Sequence, residues 1–152
     1  MKSLKHKLVI LLISSFFFSC SSLKTALYDQ YSYQKMIEIK VDASNLMEQA
    51  TTPYKNHLKE IGALGLEIQK LIEYEKNKPN NEISYAMWQL LADKDKNLLV
   101  GFFKRWKEKG QLKLFFVKQA KVQIMEAMDL LIQYEAKKDK KTEDKLLQIL
   151  TH

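Results

Sequence analysis

The chain has 152 residues, 46% of them hydrophobic and 28% charged, with four glycines, two prolines and one cysteine. Those proportions exclude a long disordered tail and a disulfide-stapled miniature domain, and describe a helix-rich globule resting on an apolar core. The formal charge of +7 is of a size that commonly suggests nucleic acid.

The N-terminus changes that reading. Lys2, Lys5 and Lys7 precede the apolar run Leu8 to Phe18, and Ser19-Cys20 follows. A basic start, a short apolar middle and a small residue at the cut form the pattern of a secretory signal. The run is too short to cross a bilayer as a permanent helix, which takes about 20 apolar residues. Cleavage after residue 19 would leave 152 − 19 = 133 residues, one ordinary domain. Three lysines and no acids depart with the signal, so 25 − 3 = 22 basic side chains face 18 acidic ones, for +4. Export disfavours nucleic acid, leaving lipid head groups or envelope polymers as anionic partners; solvated lysines on helix faces are the plainer account.

The cysteine behind the apolar run resembles the lipobox of bacterial lipoproteins, in which that cysteine is acylated and becomes the mature N-terminus. Ser19 fits the family's pattern, whereas Phe17 and Phe18 stand where Leu and a small residue are usual. The resemblance covers residues 1–20 and implies a signal peptide at 1–19, a lipidated Cys20 and a membrane anchor. It also implies the cell envelope as location, with the periplasmic face of the outer membrane favoured in a Gram-negative cell because Ser21 is not aspartate. Residues 20–25 are then a short tether; the four from Ser21 to Lys24 reach about 10–12 Å as random coil.

From residue 26 to 152 the pattern is helical. Ile37 to Asp42 alternates like a strand. At 100° per residue, however, Met36, Ile39, Ala43, Leu46, Met47 and Ala50 share one face, which places a first helix over about Ala26 to Gln49. Thr51-Thr52-Pro53 is a stop and a start. A second helix follows from Pro53 to Lys78, with a seam through Tyr54, Leu58, Ile61, Gly65, Ile68 and Ile72, widened by Leu64 and Leu71. Gly62 and Gly65 suit close approach of a neighbouring helix. Lys78-Pro79-Asn80-Asn81 is a turn with Asn81 as candidate N-cap. Ile83, Met87, Leu91, Leu98 and Phe102 keep helical phase to Trp106, interrupted by the polar stretch Asp93 to Asn97, where the helix is either continuous or broken. Gly110 is a C-cap. A fourth helix covers Gln111 to Lys137, and Thr142 can cap a short tail helix. The expected architecture is an all-α, up-down four-helix bundle, its third helix whole or broken near 93–97, plus a short C-terminal helix.

No catalytic constellation emerges. His57 and Glu60 are one turn apart, but a di-iron bundle needs two Glu-x-x-His motifs and two further carboxylates. The sequence holds no G-x-S-x-G elbow and no Gly-rich phosphate loop. Paired acids such as Glu73 and Glu75 lie among lysines, as on a solvated face. A glycosidase can use two carboxylates without a motif, so an envelope hydrolase acting on peptidoglycan is the alternative. The richest cluster is Phe102, Phe103, Lys104, Arg105, Trp106 and Lys107. It reads as a core stripe with charged flanks or as a candidate membrane or partner contact. Met36, Met47, Met87, Met125 and Met128 fill a core or line an adaptable groove. The expectation is a non-enzymatic binding or adaptor protein of the envelope, needing no cofactor, metal or nucleic acid. It would be held to the membrane by its lipid, beside an unidentified protein partner or as a structural lipid-binding lipoprotein.

Overall fold

A computed structural model describes residues 25–151, and the chain there is all-helical. Six α-helices follow in order: α1 Gln30–Glu48, α2 Leu58–Asn77, α3 Glu82–Ala92, α4 Leu99–Lys109, α5 Leu114–Lys137 and α6 Lys140–Thr151. Two 3₁₀ turns, Gln49–Thr51 and Tyr54–His57, join α1 to α2.

In α1 the helical phase wins over the strand-like alternation. Met36, Ile39, Ala43, Leu46 and Met47 are buried, while Ile37 and Val41 point outward. The helix starts four residues later than its apolar pattern suggests. Residues 25–29 lie outside the helix, and Asp29 is the N-cap, its backbone extended and its carboxylate accepting from the Ser32 amide at 3.0 Å. Such a cap satisfies a donor that has no partner within the helix. Asp139 plays the same part for α6, accepting from the Thr142 amide at 2.8 Å and its hydroxyl at 2.9 Å, so that helix begins before Thr142.

The segment expected as a third helix is two. α3 ends at Ala92, the Asp93 carboxylate folds back onto the Asp95 amide at 2.8 Å, and α4 resumes at Leu99. The intervening turn presses on α4: a Cβ added at Gly101 would lie 1.7 Å from the Lys96 carbonyl oxygen. Gly62 and Gly65 have nothing within 4 Å of where a Cβ would stand, so the close helix approach expected there is absent. The buried stripe of α2 is also rotated from the expected seam. Leu64, Ile68, Leu71 and Glu75 form its centre, Ile61 and Ile72 flank it, and Leu58 is exposed.

α1 has its widest contacts with α5 and α2, α3 packs on α2 and α6, and α6 also covers α5. Two ion pairs and a hydrogen bond fix the directions: Glu48 meets Lys121, Lys40 meets Asp129 and the Asp29 backbone amide donates to Glu135, so α5 runs antiparallel to α1. At the far end of α1 two loops are stitched together. The Tyr54 amide donates to the Gly110 carbonyl at 2.7 Å, the Leu112 amide to the Ala50 carbonyl at 2.8 Å, and the Trp106 indole to the Thr52 carbonyl at 2.9 Å. Trp88, Trp106, Met36, Met47, Met87, Leu91, Leu99, Ile124, Met128 and Leu131 are fully buried. Four of the five methionines singled out by sequence are therefore core, and Met125 packs at its edge.

Candidate functional site

The α4 cluster divides by face. Phe102, Phe103 and Trp106 are buried, with Phe102 edge-on to Phe103 and stacked against Phe116. Of the two readings open for these aromatics, they take the core stripe, because amphipathic phase turns them onto α3, α5 and the loop at Thr52. Lys104, Arg105 and Lys107 remain on the outer side. Lys104 pairs with Asp95 at 2.8 Å, and the Arg105 guanidinium lies 4.5 Å from the Phe116 ring centre. Arg105 makes no ion pair among the described residues.

The densest chemistry lies at the opposite end and does not include the residues nominated by sequence. Glu75 of α2 and Glu135 of α5 are both wholly buried, and the Lys78 ammonium sits between them, 3.7 Å from Glu75 and 3.1 Å from Glu135. Lys138 closes the cluster at 2.6 Å from the other oxygen of Glu135. Ser32 of α1 donates its hydroxyl to Glu75 and accepts from Lys78 at 3.1 Å. The Asn81 amide donates to the Glu75 carboxylate at 2.5 Å, and the Asp29 backbone amide donates to Glu135 at 3.1 Å. Glu75 is therefore not on a solvated face; Glu73, two positions earlier, is.

Buried carboxylates persist only when their lone pairs are occupied by cations and donors, and here two acids meet two lysines. Burial pushes the Lys138 ammonium below its ordinary range, against the pull of Glu135. Around the cluster, burial tends to raise the Asp29 carboxyl, but the Tyr74 hydroxyl, the Ser32 amide and Lys78 together hold it below the usual range. The same 2.7 Å hydrogen bond to Asp29 pushes the Tyr74 phenol up to about 12. Tyr134 is raised to about 12 by burial, with the charge of Glu143 adding to it.

Ser32, Lys78 and Glu75 have the elements of a nucleophile and base, but the Ser32 hydroxyl is fully enclosed and already committed to Glu75. The arrangement ties α1, α2 and α5 together at one end. Asn81 Oδ1 and Ser84 Oγ, beside it, are buried without a hydrogen-bond partner among the described residues. Sequence reasoning passed over this cluster although a signal exists. Glu75 stands four residues after Leu71, Glu135 four after Leu131, and Ser32 four before Met36, so each continues a buried stripe.

His57 also finds a structural use. Its Nε2 is 2.8 Å from the Thr52 hydroxyl, and its ring lies 5.2 Å from that of Trp106. Together with Glu60, Asp42 and Glu67 it lines a groove of about 560 Å³ between α1 and α2. Among the described residues, no group of three or more His, Cys, Asp and Glu side chains could hold a metal ion. No helix among them is long and apolar enough to cross a membrane. Cys20 and the leader lie outside the described residues. No protein-family model, curated protein or solved structure matches this chain.

Proposed function

We propose that the protein is a lipid-anchored lipoprotein of the bacterial cell envelope that works as a non-enzymatic binding or adaptor module. The observation that carries this reading is the leader: a basic start, an apolar run and a lone cysteine at position 20. Tethered recognition is the mechanism. Acyl chains on Cys20 confine the helical domain to a surface and raise its effective concentration for a neighbouring envelope protein. We read the domain itself as an up-down four-helix bundle whose third helix is α3 followed by α4, with α6 packed across one end. The antiparallel run of α1 and α5 supports that reading.

The alternative is an envelope hydrolase using two carboxylates, and Glu75 with Glu135 is the pair it would employ. What favours the binding reading is occupancy: both acids are enclosed and held by Lys78, Lys138 and Asn81. A catalytic pair must instead present one oxygen to substrate or water.

The test is metabolic labelling with a fatty-acid analogue in cells expressing the native chain or Cys20→Ala. Label on the native chain and none on the variant is the expected result. Equal label on both refutes the anchor. Crosslinking in intact cells and recovery from solubilised membranes should then return one envelope protein in near-stoichiometric yield; recovery of none from repeated preparations contradicts the adaptor role.

A further inference from the structure

We propose that the end of the molecule bearing Leu27, Tyr28, Tyr31 and Tyr74 is a membrane-contact face that rests on the lipid surface. The inference builds on the anchor reading and adds an orientation to it. Leu27 is 86% exposed, and Tyr28, Tyr31 and Tyr74 are 52%, 46% and 40% exposed, all at the end where α1 begins and α2 finishes. The Tyr31 and Tyr74 rings lie 4.6 Å apart, forming one aromatic ledge.

Tyrosine is at home at such a boundary, its ring against acyl chains and its hydroxyl among head groups. The rim is cationic. Lys137 and Lys141 flank the turn between α5 and α6, which lies at this end because Glu135 is bonded to the Asp29 amide. Neither lysine makes an ion pair among the described residues, so both charges are free for anionic lipid. Most acids on the same end are engaged: Tyr74 holds Asp29, Thr142 holds Asp139, and Lys76 lies 3.8 Å from Glu73, while Glu82, exposed at the start of α3, makes no ion pair among the described residues.

What decides the occupant is where the anchored chain enters. The described residues begin at Thr25, two positions before Leu27, and Cys20 precedes Thr25 by five residues. Fully extended, five residues span at most about 18 Å. An acylated Cys20 therefore brings this end, and not the one holding Trp106 and Gly110, down to the bilayer. The opposite end, with Pro53, Lys107 and Lys109, is turned toward the aqueous compartment, where a protein partner would meet it.

The experiment uses the full chain reconstituted into phosphatidylcholine–phosphatidylglycerol vesicles, with tryptophan as the depth probe. Trp88 and Trp106 are buried and supply a constant background. Tyr28→Trp and Tyr31→Trp report on the proposed face; Leu58→Trp, exposed at the far end, is the control. Lipids brominated near the head group should quench the two tyrosine-site probes at least about twofold more than the control, with a blue shift on vesicle binding. Equal quenching at both ends, or stronger quenching of Leu58→Trp, overturns the orientation. Fatty-acid labelling of Cys20 separates the two claims. A labelled chain with unquenched probes at 28 and 31 defeats this inference alone. Quenched probes on a chain that takes no label leave the contact face standing and defeat the anchor.

Discussion

Replacing Lys78 by methionine keeps the aliphatic stem and deletes the charge that two buried carboxylates share. Lys78 lies 3.1 Å from Glu135 and 3.7 Å from Glu75. At an effective dielectric near 20, each contact is a gross attraction of roughly 5 kcal/mol. Much of that offsets the desolvation already incurred by burial. Removing one partner of a buried pair therefore costs about 3–5 kcal/mol net, since the charge left behind stays desolvated. For a domain of this size that corresponds to a fall in Tm of about 10–20 °C. The double variant Lys78→Met with Glu75→Gln should recover at least about 1.5 kcal/mol of the loss. It leaves one acid and one base, Glu135 and Lys138, still 2.6 Å apart. Urea denaturation of the full chain, followed by far-UV circular dichroism, measures the native chain, the two single variants Lys78→Met and Glu75→Gln, and the double variant. A Lys78→Met variant within about 0.5 kcal/mol of the native chain, or strict additivity in the double variant, would refute the reasoning; either outcome means that the cluster is solvated.

Three further outcomes follow from the structure. Gly62→Ala and Gly65→Ala, with open space at both positions, should each raise stability by about 1 kcal/mol in the same denaturation assay. Gly101→Ala should lower it by several kcal/mol, on the order of 3, because the added carbon meets the Lys96 carbonyl at 1.7 Å and the turn between α3 and α4 must move. The raised phenols predict alkaline lability. Tyr134 keeps its proton until about pH 12 when folded, against 10.0 in the open chain. Its contribution is whole below pH 10 and is lost as pH climbs from there to about 12. Tyr134→Phe should flatten the stability-against-pH curve over that window, whereas an unchanged slope would show that the phenol is not shielded.

Most of the helical layout was legible from residue spacing. The face of α1 follows from its apolar repeat, and the strand-like run at Ile37 to Asp42 resolves once Met36, Ile39 and Ala43 are placed on one side. Boundaries were harder. Asp29 and Asp139 cap through local carboxylate-to-amide bonds, and nothing in the hydrophobic pattern distinguishes them from neighbouring polar residues. The seam of α2 is centred on Leu64 and Leu71, and a four-and-three spacing that runs through Gly65 does not reveal this because Gly65 is only half-buried.

The chemistry was less legible than the fold. Glu75 is surrounded in sequence by Glu73, Lys76 and Lys78, which together resemble a solvated face. Its burial depends on Ser32 and Glu135, 43 and 60 positions away, which no local window brings together. At α4 the spacing of Phe102, Phe103 and Trp106 suited a core stripe and an interfacial one equally. Packing against Phe116 and the Thr52 carbonyl decided for the core. The exposed tyrosines at the other end are not legible as one patch, since Tyr28 precedes α1, Tyr31 opens it and Tyr74 lies near the end of α2, and only the fold unites them.

The intact mass of the chain extracted from the membranes of its own cells tests the central claim most directly. Loss of residues 1–19, with a diacylglyceryl group added to a Cys20 N-terminus, is the expected result. A chain that retains Met1 and is recovered unmodified from the cytosol contradicts it.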